Sequence, residues 1–208
     1  MPTAGTKKHV RYRGLTARDL GLIAVFAALV AAMSVAVAIP IPFSPVPVTL
    51  QTLGIMLAPA LLGWKRGALA VAAFLALGLA GLPLFAGGRG GLAVLAGPSA
   101  GFVVSWIFAA LVIGLLTDLM VRGGRYRLWM GLAINVVGGI LVIYAIGVPW
   151  MAVALGDGVL AAAYSMLVFL PGDLAKAVVT ALIAAAVHRA YPLPPAGRPV
   201  LEEKGESA

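Results

Sequence analysis

The chain has 208 residues, of which 62% are hydrophobic and 11% are charged, and its formal net charge is +8. Soluble domains are about half apolar and about a quarter charged, so this composition excludes an ordinary soluble protein. It predicts an all-α integral membrane protein, because the strand alternation typical of a membrane barrel is not visible. The length allows about six spans of roughly 20 residues each. Cysteine is absent, which excludes disulfides, thiol nucleophiles and thiolate metal sites.

The chain begins with a basic segment, followed by a first predicted span from about Leu20 to Ile39. Small residues recur at every fourth position of this span, as Ala24, Ala28 and Ala32. A ridge of this kind lets another helix approach closely. It fits docking against a partner subunit and packing within the chain's own bundle equally well.

A proline-rich segment, residues 40–49, follows the first span and contains four prolines within eight positions. Proline is unsuited to a helix interior and pushes the preceding residue toward extended geometry. We therefore expect a stiff, extended loop, and it is mostly apolar, with Phe43 and Val46 among its side chains. Such a loop is either a lid over a site or a tight connector packed against lipid headgroups.

Two short apolar segments come next, about Leu50 to Leu62 and Ala68 to Leu82, with two basic residues between them. Short spans are acceptable where part of each is sheltered within the protein. The following loop carries four glycines around Arg89, and glycine permits close approach of the backbone to a ligand. The loop either contacts a ligand or is simply flexible. It lacks the Gly-Lys-Ser/Thr ending of a phosphate-binding loop.

The fourth and fifth spans are predicted at about Ser99 to Val121 and Leu128 to Val148. Asp118 is interpreted as an interfacial partner of the arginines that follow it, not as a site. Residues 150–170 are apolar but interrupted by a Gly-Asp-Gly sequence, and are predicted to form short helices over the mouth of the bundle. The sixth span runs from about Pro171 to Arg189.

An acid and a base, Asp173 and Lys176, stand three residues apart at the start of the sixth span. Residues at this spacing share one face of a helix. Ionisable groups in a membrane segment are costly, usually face an interior or a water-filled cavity, and mark functional sites. The alternative is a mutual ion pair that only fixes helix packing.

The basic residues predict the orientation of the chain. With six spans, all but two of the 15 lysines and arginines flank one side, which the positive-inside rule makes cytoplasmic. Both termini are then inside, and the extended proline loop, Arg89 and the start of span 6 share the outer face. The predicted parts are a basic tail (1–19), a six-helix membrane domain (20–190) and a disordered tail (191–208).

The side chains at this outer face suit a small molecule with a polar head and an apolar body. Asp173 accepts hydrogen bonds and Lys176 donates them, which fits an amide or a urea, and Arg89 can receive a carboxylate. No catalytic residue and no metal site are expected, because both histidines lie near the cytoplasmic ends. The predicted ligand-binding residues are Asp173, Lys176, Arg89, Phe43, Val46, Thr49, Gln51, Phe85 and Gly88.

Three motifs resemble those of one known family. Residues 42–54 (Pro-Phe-Ser-Pro-Val-Pro-Val-Thr-Leu-Gln-Thr-Leu-Gly) resemble the signature of the BioY proteins. The glycine-rich residues 81–91, with 97–101, resemble its middle motifs, and 171–176 (Pro-Gly-Asp-Leu-Ala-Lys) resemble its last. These proteins are the biotin-specific substrate-binding (S) components of energy-coupling factor (ECF) transporters. The resemblance covers about residues 15–190.

The resemblance implies a six-helix protein of a prokaryotic plasma membrane that captures biotin at its outer face, with the loop after helix 1 as lid. It implies that Asp173 and Lys176 contact the ureido ring, and that Ala24 and Ala28 dock against a transmembrane coupling subunit driven by two cytoplasmic ATPases. Biotin is then the transported ligand, and no cofactor is expected. The sequence departs from the family's pattern at two places. One is residues 99–102, and the other is Arg89, at a position where the family commonly has a small residue.

Three other functions compete with this one. The chain is alternatively an S component for a different vitamin, since the residue chemistry alone does not select biotin. A structural membrane subunit would use the Asp173–Lys176 pair for packing only. An intramembrane enzyme would use Asp173 as an acid or base, but the outer face lacks a histidine and a metal cluster.

Overall fold

The computed structural model describes residues 10–36, 38–41, 44–191, 196 and 198–201. Within these ranges the chain is mostly helical. The helices and strands are β1 (Val10–Arg13), α1 (Ala17–Ala36), β2 (Ala38–Ile41), β3 (Ser44–Thr49), α2 (Gln51–Leu79), α3 (Ala100–Arg122), α4 (Leu128–Val136), α5 (Ile143–Leu155), α6 (Val159–Met166), α7 (Leu170–Ala190) and β4 (Arg198–Leu201). A 3-10 helix (Leu92–Ala96) precedes α3, a π-helical segment (Val137–Val142) joins α4 to α5, and a 3-10 turn (Leu167–Phe169) joins α6 to α7.

In the part of the chain that the structure describes, five helical segments are long and apolar enough to cross a membrane, judged by length and composition. The protein is therefore a multi-helix membrane protein, as the composition predicts. The segments are Ala17–Ala36, Gln51–Leu79, Ala100–Arg122, Leu128–Leu155 and Val159–Ala190.

α2 contains both of the short spans predicted from the sequence, and it is interrupted at Gly63. The backbone there has φ 77° and ψ −176°, which is not helical. A Cβ on Gly67 would overlap the Cα of Pro59. Residues eight apart in a straight helix are separated by about 12 Å, so the chain folds back at Gly63. Residues 51–62 and 64–79 are thus two helical arms packed against each other.

α1 packs against the rest of the bundle with one face. Ile23, Ala27, Val30 and Ser34 are buried, at the three- and four-residue spacing of a single helix face. The alanine ridge of residues 24, 28 and 32 lies on a different, exposed face. In the described part of the chain the ridge therefore does not serve as internal packing.

The proline-rich segment is extended where it is described. β2 and β3 pair as antiparallel strands, with Ala38 opposite Thr49 and Ile39 opposite Val48. The prolines account for the extended backbone, while the pairing of the two strands was not predicted. Phe43, a predicted ligand contact, lies outside the described residues.

The two described chain ends and several polar contacts lie at one end of the bundle. β1 pairs with β4 in antiparallel fashion, and Arg18 donates a hydrogen bond of 2.7 Å to the Tyr191 hydroxyl. β4 falls within residues 191–208, which we predict to be disordered, and most of that tail lies outside the described residues. Both described chain ends therefore lie on the same side of the bundle.

The turn of α2 lies at this same end. Asp19, at the start of α1, forms a buried ion pair with Arg66. Asp118 accepts a hydrogen bond of 3.3 Å from the backbone N–H of Trp64, and a Cβ on Gly63 would overlap the Asp118 carboxylate. Asp118 thus supports the turn of α2, a structural role that fits its interpretation as a residue outside any ligand site.

Candidate functional site

A cavity lies at the end of the bundle opposite Tyr191. Counting the space of its open mouth, it encloses about 740 Å³. β3, the first turn of α2, the loop before α3, α3 itself, α5 and α7 all contribute to its wall. The lining residues are Val46, Pro47, Val48, Thr49, Gln51, Thr52, Phe85, Ala86, Arg89, Val94, Ser99, Phe102, Val103, Trp106, Gly139, Ile143, Tyr144, Met166, Phe169, Asp173 and Lys176.

The polar part of this wall is built by the first two turns of α7. Pro171 lies in the first turn of α7, where its missing N–H is not needed, and Asp173 follows in the same turn. The Lys176 ammonium lies 2.9 Å from Asp173 Oδ1 and donates a hydrogen bond of 2.9 Å to Thr52 Oγ1. Asp173 is only 7% exposed, so this ion pair is sheltered inside the bundle.

Tyr144 is the third member of the polar group, and the sequence analysis did not identify it. Its hydroxyl donates a hydrogen bond of 2.7 Å to Asp173 Oδ2, so both carboxylate oxygens of Asp173 are engaged. Its ring meets the Phe102 ring edge to face, with centroids 6.3 Å apart. A single tyrosine in an apolar helix carries no spacing signal that marks it as part of a site.

The π-helical segment before α5 brings this region of the chain close to α2. A Cβ on Gly139 would overlap the Met56 side chain, so a larger residue there would displace Met56. Gly139 itself borders the cavity. Single π-helical turns inside α-helices are frequent at functional sites, and this one directly precedes the turn that carries Tyr144.

An aromatic cluster forms the apolar part of the wall. The ring of Phe85 lies 5.6 Å from that of Phe74, edge to face, and 6.3 Å from that of Trp106. A Cβ on Gly78 would overlap the Phe85 ring, so the glycine makes room for it. Phe85 is 2% exposed, and the cluster provides a rigid apolar surface for the body of a ligand.

Arg89 lies at the mouth of the cavity on a tight turn. The backbone N–H of Phe85 donates to the Arg89 carbonyl at 2.9 Å, and the Arg89 N–H donates back to Phe85 at 3.2 Å. Gly87 and Gly88 have φ of 73° and 71°, which only glycine adopts readily. Arg89 Nε donates to the Ala86 carbonyl at 3.1 Å. The exposed guanidinium is thus held beside the opening.

The structure brings most of the predicted ligand-binding residues to one cavity. Gly88 does not border it and instead shapes the Arg89 turn. Thr52 and Trp106 border it although we did not predict them as contacts. The predicted residues on the cavity wall are Asp173, Lys176, Arg89, Val46, Thr49, Gln51 and Phe85.

Membrane-length helices around a partly polar, partly apolar cavity define a membrane protein that holds a small molecule. The sequence profile of the BioY family matches residues 6–193, and the chain belongs to the BioY family. This is a family of transport proteins, so the chain is a multi-pass protein of a prokaryotic plasma membrane and not an enzyme.

Individual relatives are similar in sequence to this chain over most of its length. The biotin transporter BioY of Rhizobium etli is 45% identical over 185 residues, which is 88% of this chain and 99% of the relative. That of Rhodobacter capsulatus is 44% identical over 84% of this chain and 95% of the relative. A crystal structure of the S-component for biotin from an ECF-type ABC transporter superposes with a TM-score of 0.80 at 34% identity, covering 85% of this chain and 95% of that one.

Proposed function

We propose that this chain captures biotin in the cavity beside Asp173 and delivers it to an ECF-type uptake transporter. The observation that carries the proposal is the group of Asp173, Lys176 and Tyr144 at one side of a cavity that has aromatic rings elsewhere in its wall. A urea ring has N–H donors for the carboxylate and a carbonyl acceptor for the ammonium. The apolar body of biotin suits the aromatic wall. Calorimetric titration with biotin tests this proposal.

The proposed path across the membrane has six crossings, with both termini in the cytoplasm. Three observations support it: α2 folds back at Gly63, β1 and β4 pair at one end, and the basic residues cluster at that end. Two chain ends on one side require an even number of crossings. The first residues of α7 are about 27 Å from Tyr191 along the helix, which supports a position of the cavity at the outer face.

Labelling of single cysteines tests this orientation. The natural chain has no cysteine, so Leu92→Cys and Arg125→Cys each provide one reactive thiol at an exposed position. In intact cells a membrane-impermeant maleimide should label the Leu92→Cys variant and not the Arg125→Cys variant, and permeabilisation should expose the second. The reverse pattern would contradict the orientation, and equal labelling of the two variants in intact cells would contradict a membrane crossing by α3, which lies between the two positions.

The proline-rich hairpin of β2 and β3 is proposed as a lid. Val46 and Thr49 of β3 border the cavity, so this hairpin forms one of its walls at the mouth. A backbone already stiffened by proline loses little conformational entropy when it is ordered over a ligand. Closure of the hairpin would slow the release of biotin.

Arg89 is proposed to receive the carboxylate tail of biotin at the mouth. Ion pairs at exposed positions contribute about 0.2–1 kcal/mol, so Arg89→Ala should weaken biotin binding by up to about fivefold. Biotinamide, which has no carboxylate, should bind the variant and the natural protein equally. Titration of both ligands against both proteins measures this, and an equal loss for biotin and biotinamide would exclude the carboxylate contact.

The exposed alanine ridge of α1, with Ala28 at its centre, is proposed to dock a transmembrane coupling subunit that a pair of cytoplasmic ATPases drives. Small residues there let a partner helix approach closely. Ala28→Trp should abolish uptake of labelled biotin by cells with the complete transporter while the purified variant still binds biotin. Leu29→Trp is the control, because the next residue lies about 100° around the helix and is also exposed. Unimpaired uptake by Ala28→Trp would exclude the ridge as an interface.

A further inference from the structure

Gln51 is the first residue of α2 and borders the cavity. It is 2% exposed, and within the described ranges its amide nitrogen Nε2 is buried without a hydrogen-bond partner. The neighbouring polar groups differ, because Asp173, Lys176, Thr52 and Tyr144 are bonded to one another. Buried polar groups are nearly always paired in folded proteins, so the amide of Gln51 requires an explanation.

The position of Gln51 shows which kind of atom would satisfy it. The next residue, Thr52, accepts the hydrogen bond from the Lys176 ammonium, so a positive charge lies at the first turn of α2. The N-terminus of a helix carries a partial positive charge of its own. An amide N–H₂, an ammonium and a helix N-terminus all favour a hydrogen-bond acceptor, and none of them favours a donor.

We propose that Gln51 selects the carbonyl oxygen of the ligand's urea group, which it binds together with Lys176. The Asp173 carboxylate, held by the Tyr144 hydroxyl, then receives the urea N–H groups. The urea carbonyl consequently points toward the first turn of α2 and its N–H groups toward α5 and α7. This assignment rests on the proposed function, since it orients biotin within the same cavity.

The assignment predicts a dependence on one ligand atom that a purely structural role would not produce. In 2-thiobiotin a sulfur replaces the carbonyl oxygen, and sulfur is a weak hydrogen-bond acceptor. A net hydrogen bond corresponds to about a threefold to tenfold change in affinity. Gln51→Met, which keeps the length and removes the amide, should therefore weaken biotin binding by about that factor and leave 2-thiobiotin binding nearly unchanged.

Gln51→Glu tests the same contact, because a carboxylate at position 51 prefers a hydrogen-bond donor where the amide N–H₂ prefers an acceptor. In 2-iminobiotin a protonated imine replaces the carbonyl and donates hydrogen bonds. A carboxylate at position 51 repels the carbonyl oxygen and accepts from the imine, so the preference for biotin over 2-iminobiotin should fall by at least tenfold. The control is Leu53→Met, an apolar change of similar volume two residues along α2 from Gln51 that does not border the cavity, and it should leave both preferences unchanged.

Calorimetric titration of the purified natural protein and the three variants with the three ligands gives these preferences. The assignment would be overturned if Gln51→Met lost equal affinity for biotin and 2-thiobiotin, or if Gln51→Glu kept the natural preference for biotin over 2-iminobiotin. Neither result would contradict the proposed function, provided that the natural protein binds biotin. If Gln51→Met does not fold, the preference of Gln51→Glu for biotin over 2-iminobiotin tests the assignment by itself. A folded natural protein that does not bind biotin would overturn the proposed function and this assignment with it.

Discussion

Asp173→Asn should weaken biotin binding by about tenfold to a hundredfold, and Lys176→Met should do the same. A hydrogen bond to a charged group contributes about 1.5–3 kcal/mol, which corresponds to that range of affinity. Both substitutions keep a similar shape, so they test charge and hydrogen bonding more than volume. An asparagine side chain at position 173 would still accept the hydrogen bond from the Tyr144 hydroxyl, which lies 2.7 Å from Asp173 Oδ2. The measurement is calorimetric titration of the purified variants with biotin.

The double variant, Asp173→Asn with Lys176→Met, separates ligand binding from packing. Each single change leaves a buried partner without its counter-charge, and this destabilises the fold. If the pair only fixes helix packing, the double change restores both thermal stability and affinity. If the pair holds the urea group, the double variant recovers stability and still binds poorly. A stable double variant with near-normal affinity would contradict the assignment of these residues to the ligand site.

Asp19→Asn should destabilise the protein by about 3–5 kcal/mol, the usual effect of removing one partner of a buried ion pair. The side chains of Asp19 and Arg66 are 1% and 4% exposed, so the substitution would remove a negative charge from beside a buried guanidinium. The pair joins the start of α1 to the turn of α2. Its loss should therefore loosen the helix that carries the alanine ridge. Denaturant unfolding in detergent measures the free energy change.

Thr16→Ala is the matched control for this prediction. The Thr16 N–H donates to the Asp19 carboxylate at 2.8 Å, and the Asp19 N–H donates to Thr16 Oγ1 at 3.2 Å, which is a reciprocal helix cap. Removing a cap costs about 1 kcal/mol. Asp19→Asn preserves an acceptor for the cap, and adding Arg66→Met should recover most of the lost stability. An Asp19→Asn effect no larger than that of Thr16→Ala would show that the ion pair contributes little.

The sequence predicts the membrane class, most helix positions and the location of the acid–base pair. Long apolar segments and charged residues within them are local features, and the bilayer restricts both strongly. The prolines of residues 40–47 likewise predict an extended backbone, which the structure has on either side of residues 42 and 43. Each of these features is determined by neighbouring residues along the chain.

The features that we did not predict depend on residues far apart in the chain. Tyr144 reaches Asp173 from 29 residues away, and Asp19 reaches Arg66 from 47 residues away. In the sequence Arg66 is one of several basic residues that flank apolar segments, and nothing distinguishes it from the solvated ones. The break at Gly63 also depends on Asp118, whose carboxylate occupies the space beside it. Only the packed bundle identifies such partners.

Calorimetric titration of the purified natural protein with biotin tests the central claim most directly. Lipoate is the control ligand, because it has an acid chain and an apolar ring but no urea group. We expect one saturable biotin site per chain and no measurable heat from lipoate at the same concentrations. A folded protein that does not bind biotin, or that binds lipoate as tightly as biotin, would contradict the claim that the cavity recognises a urea group beside Asp173 and Lys176.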